Sequence, residues 1–334
     1  MSAALALAAT ALDVLVMTQL HPRAAQIDGP RHVRVAVDTL RAPLQLPDAE
    51  WRVRVGRETR TWRGALRIAP GADELAIIVR MPIEEYVARA VAAETEPGAP
   101  PALLEAQAIV SRSYALAARG RHGAADACDL AHCQALRESP SHEHRANSRA
   151  AADRTAGQVL VLADGRVART PFHAACGGST ADPRAIFGRD DVSGAAAVPD
   201  PGCSAPGWEA RLPRDVVERA AIEALGSRGP LSYERAADGR VVRVLDERTG
   251  RWANGDAFAR ALDRLAGWGV VRGSRMWLDP AGAFVRIRGT GIGHGAGLCQ
   301  AGALRRARQG QSVQEILSHY FPNARWGRVE HRSP

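Results

Sequence analysis

The chain has 334 residues, 46% of them apolar and 24% charged, enough to bury one large core or two smaller ones. A net charge of +8 and a pI near 10.0 invite a nucleic-acid reading. All 44 basic residues are Arg, however, scattered without a stripe or interleaved aromatics, which is the usage of a GC-rich genome rather than a nucleic-acid surface.

Residues 1–20 are mostly small and apolar and resemble a secretion signal, although no Lys or Arg precedes the apolar run and Asp13 interrupts it. Residues 1–30 are therefore read as a signal segment and linker, and no membrane span is expected. From 31 to 75 the pattern alternates. Segments 33–37, 51–55, 61–63 and 65–68 place apolar side chains at every second position, as short strands with one wet face do. One domain is expected over 76–324, with 325–334 as a tail.

Ile83, Tyr86, Val87, Ala90 and Val91 then recur at helical spacing. Pro97, Pro100 and Pro101 stop that helix, because proline fixes φ and removes a donor. A second helix is expected over 102–118, with Leu103, Leu104, Gln107, Ala108, Ser111 and Arg112 sharing faces. Glu94 thus stands at a helix end beside a bend, where a carboxylate can face a cleft. The segment alone favours a solvated surface Glu.

Residues 119–149 are polar and read as an ordered loop held by something other than a core. Within them His122, Cys128 and Cys133 offer three ligands of the zinc-binding type, with His132 competing beside Cys133. A Cys128–Cys133 disulfide is the rival reading in an oxidising compartment. A zinc here would be structural, stapling a loop that lacks apolar residues. Strands follow at 159–162 and 169–174, then a long Pro-, Gly- and Asp-rich loop at 182–207 of the kind that lines sites. A helix at 213–225, strands at 241–246 and 284–288, and a helix at 254–267 complete the middle. Cys176 and Cys203 can clamp the long loop as a disulfide, leaving Cys299 as a small buried residue. Gly291, Gly293, Gly295 and Gly297 bracket His294 on a turn ahead of helices at 300–308 and 313–320. A histidine there has no evident packing purpose. The irregular mixture of strands and helices, without a repeat, is α+β.

Four ordered motifs between residues 80 and 323 resemble the SpoIID/LytB family, which unites sporulation stage II protein D, amidase enhancers and envelope proteins of non-sporulating bacteria. They are Glu94; Ala106-Gln107-Ala108 followed by Arg112-Ser113-Tyr114; Phe172-His173-Ala174-Ala175-Cys176-Gly177-Gly178-Ser179-Thr180; and Gly293-His294-Gly295 through Gln300 and Gly302. Where the family usually has Met-Pro after its Glu, this chain has Thr95-Glu96, and the spacing to Gln107 selects Glu94. The resemblance implies an α+β fold around one glycan-binding cleft and a location in the cell envelope, periplasmic or secreted. It implies a lytic transglycosylase acting on peptidoglycan glycan strands, with Glu94 as the single acid/base. One carboxylate suffices because the muramyl C6 hydroxyl of the substrate is itself the nucleophile, whereas hydrolysis takes a pair.

The same resemblance implies Gln107, Arg112, His173, Ser179, Thr180, His294 and Gln300 as glycan contacts. The plainer readings are a helix-surface Arg112, a strand end and turn at His173, Ser179 and Thr180, and satisfied turn backbone around His294 and Gln300. It also supports His122, Cys128 and Cys133 as ligands of a structural zinc not required for catalysis. Two other functions compete. One is a non-catalytic glycan-binding enhancer of a cell-wall amidase. The other is a Cys-His hydrolase using Cys176 with His173 or His294, with Gly177 and Gly178 as oxyanion donors. Thiol oxidation in the envelope opposes the latter.

Overall fold

The computed structural model describes residues 11–329 except 131–132, 189–191, 204 and 206. It is α+β, with eight helices and seventeen strands among the described residues. The chain forms two compact units, one running to Arg169 and resumed at Trp326, the other spanning Thr170–Arg325. The division falls inside the stretch read from sequence as one domain.

The first unit is built on seven strands: β1 (Ala11–Leu15), β2 (Ala24–Asp28), β3 (His32–Ala36), β4 (Leu44–Val55), β5 (Glu58–Pro70), β6 (Leu75–Pro82) and β7 (Ala127–Cys128). Their order in the sheet is β3-β2-β4-β5-β6-β1-β7. The alternation seen in the sequence sets the register. Trp51 faces Trp62, Leu66 faces Val79 and Ile68 faces Ile77, all buried, while Arg52, Arg54 and Arg63 stay exposed. Each buried indole contributes on the order of 4 kcal/mol at about 25 cal/mol per Å². The strands expected at 61–63 and 65–68 are one continuous strand, β5.

β6 carries Ala76-Ile77-Ile78-Val79 with no alternation, because Ile77, Ile78 and Val79 are all buried, and periodicity is blind to such a strand. β1 pairs antiparallel with β6, and Leu12 and Val14 are fully buried. The signal-like stretch is therefore corrected from Ala11 onward: those residues belong to the core sheet, and a central strand shares the apolar composition of a leader. Its first ten residues lie outside the described residues.

Helices α1 (Ile83–Glu94), α2 (Pro101–Ala117) and α3 (His142–Arg154) pack together, with α1 touching β1 and β6. The predicted face of α1, namely Ile83, Tyr86, Val87, Ala90 and Val91, is buried. Pro101 opens α2, where a missing N–H has no intrahelical partner to lose. α3 corrects the loop expected over 119–149. Its cap is Ser141, which accepts the His144 N–H at 3.1 Å, and its buried residues are His144, Ser148, Ala151 and Ala152. Small and polar side chains give that helix no apolar stripe. Strand β8 (Gln158–Val161) follows.

The second unit contains β9 (Phe172–His173), α4 (Pro183–Phe187), β10 (Trp208–Pro213), α5 (Arg214–Leu225), β11 (Leu231–Arg235), β12 (Val241–Asp246), β13 (Trp252–Asn254) and α6 (Gly255–Ala266). It continues through β14 (Met276–Ala281), β15 (Phe284–Gly289), β16 (Leu298–Cys299), α7 (Gln300–Arg308) and α8 (Val313–Tyr320). Two three-stranded sheets, β10-β15-β14 and β11-β12-β13, pack with α5 and α6. β16 pairs in parallel with β9, setting Leu298 opposite Phe172 and Cys299 opposite His173. Two distant sequence motifs thereby share one small sheet. The expected tail instead opens with β17 (Arg325–Arg328), which pairs with β8. Among the described residues no helix is long and apolar enough to cross a membrane.

Candidate functional site

α1 ends on Glu94 because Thr95 is extended, with φ −120° and ψ 161°, and closes its N–H and hydroxyl onto the Val91 carbonyl. Glu94 Oε1 accepts the backbone N–H of Ala135 at 2.7 Å. Burial pushes the Glu94 pKa up; the Ala135 N–H and the Arg137 charge pull against it, and burial prevails. The result is a carboxyl that holds its proton more readily than an ordinary Glu, as a general acid must. Glu96 is exposed beyond the helix end. Environment thus separates two carboxylates that are nearly adjacent in sequence.

Beside this carboxyl lies the thiol pair. His122 Nε2 is 3.0 Å from Cys133 Sγ, and the ligand atoms of His122, Cys128 and Cys133 lie within 4.8 Å of one another. Both cysteines are free and buried, so no disulfide joins them. A hydrogen bond from Cys128 draws the Cys133 thiol down to about 5, and His122 adds to the effect. The Tyr86 hydroxyl is buried without a hydrogen bond, and its pKa is raised by burial and by Cys133, Tyr114, Cys128 and Glu94. One imidazole and two thiols, one of them readily ionised, are a donor set that suits zinc. His132 lies outside the described residues.

One short segment joins these features. Directly after Cys133, Gln134 Nε2 donates to the Ser111 carbonyl at 3.2 Å, and then Ala135 meets Glu94. Gln107 Nε2 donates to Ser111 Oγ at 3.2 Å within α2, so the predicted Gln107 is buried and bonded to the residue whose carbonyl receives Gln134.

Arg112 departs from expectation. It is fully buried and forks onto Glu84, with Nε 3.0 Å from Oε1 and 3.2 Å from Oε2, while Nη2 also reaches Oε2. Nη1 donates to the Gln158 carbonyl and Nη2 to the Ala152 carbonyl, both at 3.1 Å. Its donors are spent inside the fold, which makes it a strut between α1, α2 and the end of α3. It is not the helix-surface Arg of the plainer sequence reading.

A groove of about 1010 Å³ lies at the opposite end of α1, lined by Asp48, Glu50, Arg63, Glu84, Glu85 and Arg149. Glu84 pairs with Arg112, and Glu85 with Arg89 and Arg149. Burial raises Glu85, but Arg89 and Arg149 outweigh it and hold the group low. Glu85 therefore stays ionised and makes a poor acid.

In the second unit the two predicted histidines share one partner. The Ala296 N–H donates to His294 Nδ1 at 3.0 Å, and the Ala296 carbonyl lies 3.2 Å from His173 Nδ1. His294 is therefore protonated on Nε2 and His173 on Nδ1. Burial holds both pKa values down, so both rings are neutral. Their centroids are 5.5 Å apart, and Phe187 meets His294 edge-on at 5.2 Å. Gly295, at φ 84°, lets the turn pass Arg240: a Cβ there would lie 2.2 Å from the guanidinium carbon. Thr180 Oγ1 donates to the Ala196 carbonyl at 3.0 Å and accepts the Val198 N–H at 2.8 Å, so its hydroxyl ties down the following loop. Ser179 pairs with Pro199 as an isolated bridge, and Gln300 is the first residue of α7.

Residues 72–162 match the family model SpoIID, Stage II sporulation protein. The chain carries a SpoIID domain. An uncharacterized protein of Brachyspira hyodysenteriae (strain ATCC 49526 / WA1) is 25% identical over 262 residues, covering 77% of this chain and 70% of its own.

The SpoIID match lies within the first unit and contains Glu94, Gln107, Arg112, His122, Cys128 and Cys133. That match points to a cell-wall-related function. His173, Ser179, Thr180, His294 and Gln300 lie beyond the matched residues and within the second unit. Two participants of the SpoIID site carry no sequence signal. Ala135 acts through its backbone, and His144, which reaches the Thr95 carbonyl at 3.0 Å, sits in the helix that periodicity missed.

Proposed function

We propose that the SpoIID domain is a peptidoglycan lytic transglycosylase that uses Glu94 as its single acid/base and leaves 1,6-anhydromuramyl ends. The observation that carries this reading is the Glu94 carboxyl at the end of α1, raised by burial and held by the Ala135 N–H. Protonated Glu94 gives its proton to the glycosidic oxygen as the bond to the anomeric carbon breaks. The muramyl C6 hydroxyl bonds to that carbon, and its proton returns to Glu94. No water is consumed, and Glu94 ends as it began. One group serves both steps when its pKa lies near the working pH, which burial favours.

In this reading zinc held by His122, Cys128 and Cys133 cross-links the loop from which Gln134 and Ala135 extend, and supplies no reacting group. The His294 and Phe187 edge of the second unit is assigned to sugar contact, through an imidazole that stays neutral. The substrate places the protein in the cell envelope, periplasmic or secreted.

Mass spectrometry of products from purified glycan strands, wild type beside Glu94→Gln, tests the proposal. Anhydromuramyl fragments from wild type alone are expected. Reducing-end products would mean hydrolysis and a second carboxylate. Glycan binding without products would leave a binding module that stimulates a separate cell-wall amidase.

A further inference from the structure

The second unit holds a group of side chains that the SpoIID match does not reach. Cys176 stands in the turn after β9, Cys203 follows the loop that carries Asp200, and Cys299 caps α7. The pairing of β16 with β9 brings the Cys176 N–H to Cys299 Sγ at 3.2 Å. The loop returns through Asp200, whose N–H donates to the Gly178 carbonyl at 2.8 Å. Cys203 and Cys299 then have their sulfurs 3.4 Å apart, and Cys176 Sγ is 3.7 Å from Asp200 Oδ2. The four ligand atoms all lie within 4.8 Å of one another, and all four residues are buried. The sequence-predicted Cys176–Cys203 disulfide is absent, since both thiols are free.

Spacing, charge and surroundings distinguish this group from cysteines packed as small apolar residues. A zinc ion with bonds of about 2.3 Å to sulfur spaces tetrahedral sulfurs about 3.8 Å apart, whereas a disulfide needs about 2 Å. The separation of 3.4 Å between Cys203 and Cys299 lies near the first value. Asp200 is a carboxylate with no exposure, and burial of that charge demands partners. Tyr320 donates to Oδ2 at 2.8 Å and Arg305 to Oδ1 at 3.2 Å, with Arg306 at 3.8 Å. Outer hydrogen bonds of this kind orient a ligating carboxylate. Cys299 Sγ accepts the Gly302 N–H at 3.4 Å at the positive end of α7, and Arg240 donates to the Cys176 carbonyl at 2.9 Å.

We propose that Cys176, Cys203, Cys299 and Asp200 form a second zinc site, closed, four-coordinate and structural. Zinc binding displaces the thiol protons to solvent and leaves no open position for chemistry. The site fastens the turn after His173, the loop of Asp200 and the start of α7 to one another, and so fixes the two motifs that carry His173 and His294. It stands independently of the transglycosylase reading.

Metal analysis of the full chain separates the two thiol sets. His122→Ala/Cys128→Ser/Cys133→Ser removes the first set, and that variant is expected to retain one equivalent of zinc and to lose it when Cys203→Ser is added. If the combined variants do not fold, the wild-type chain is expected to bind two equivalents and Cys203→Ser alone one. Cobalt(II) replacing zinc in the first-set variant is expected to give sulfur-to-cobalt charge transfer and tetrahedral visible bands, the latter shifting in Asp200→Asn. Visible bands indifferent to Asp200→Asn would strike Asp200 from the ligand set. A folded first-set variant without metal would overturn the proposal, as would a Cys176–Cys203 disulfide on peptide mapping or bound iron in place of zinc.

Discussion

The Ala135 N–H donates to Glu94 Oε1 at 2.7 Å, so the residue two positions after Cys133 holds the carboxyl that ends α1. Glu94→Gln keeps an amide oxygen for this donor and removes only the proton chemistry. The variant is expected to keep its fold and to lose about 100- to 10,000-fold in the rate of anhydromuramyl release, the range for a lost general acid. Product assays beside thermal unfolding of both proteins check it.

The same substitution carries a pH signature in stability. The folded pKa of Glu94 is raised above the ordinary 4.5, so the folded state binds this proton more tightly than the unfolded chain does. The stability contributed by that proton is fully present below 4.5 and is lost as pH rises through the folded pKa. Glu94→Gln, neutral throughout, should therefore be more stable than wild type at neutral pH and lose that advantage in acid. Urea unfolding of both proteins at the two pH values measures it. An advantage unchanged between acid and neutral pH would mean that Glu94 is not raised.

The proposed zinc would reach Glu94 through the same segment. On the zinc reading proposed above, losing the metal from His122, Cys128 and Cys133 frees the segment that carries the Ala135 N–H, and its bond to the carboxyl is held less firmly. A hydrogen bond to a charged group contributes about 1.5–3 kcal/mol. Chelation or Cys133→Ser is therefore expected to lower kcat by roughly 10- to 100-fold. KM for glycan should move little, because no substrate contact is removed. Steady-state kinetics with metal analysis separates this from a general loss of fold.

What the sequence made legible follows from where side chains announce themselves. α1, α2, α6, α7 and α8 were readable because their apolar spacing or their Pro and Gly boundaries are local signals. β6 was missed because its consecutive buried Ile77, Ile78 and Val79 break the period of two, and α3 because its buried residues are His, Ser and Ala. At the SpoIID site Glu94 and the His122, Cys128 and Cys133 set were visible as residue types at spacings. The Ala135 donor was not, since any residue supplies a backbone N–H. Spacing picked out Gln107 and Arg112, yet spacing carries no information on the partners that each side chain meets. Those came from the structure, above all Glu84. Cys176, Cys203 and Cys299 are too far apart in sequence for spacing to group them, and only the β9–β16 pairing and the Asp200 loop do so.

The strut predicts a stability effect rather than a binding one. Arg112→Ala removes a buried guanidinium from Glu84 and from two carbonyls. Breaking a buried ion pair on one side typically costs about 3–5 kcal/mol. Denaturant unfolding should show that loss, while glycan affinity of the folded fraction stays unchanged. Weaker glycan binding at undiminished stability would return Arg112 to the substrate.

Gly302 gives the sharpest steric test, because helix propensity and packing oppose each other there. Ala in place of a helical Gly ordinarily gains about 1 kcal/mol. A Cβ at Gly302, however, would lie 1.8 Å from Asp200 Oδ2 and 2.2 Å from the Tyr320 hydroxyl. Both groups are pinned, since Tyr320 donates to Asp200 at 2.8 Å and Arg305 holds the other carboxylate oxygen. Packing should win, and Gly302→Ala is expected to be destabilised by about 1–3 kcal/mol, the usual cost of overpacking. Gly310 is the control: it has φ 83° and nothing within 4 Å of a built Cβ, so Gly310→Ala meets only backbone strain, about 1 kcal/mol. Urea unfolding of the two variants compares a clash with a strained turn. If Gly302→Ala proved the more stable of the pair, Asp200 and Tyr320 would have to yield, and the close packing around Asp200 would not be a fixed feature of the fold.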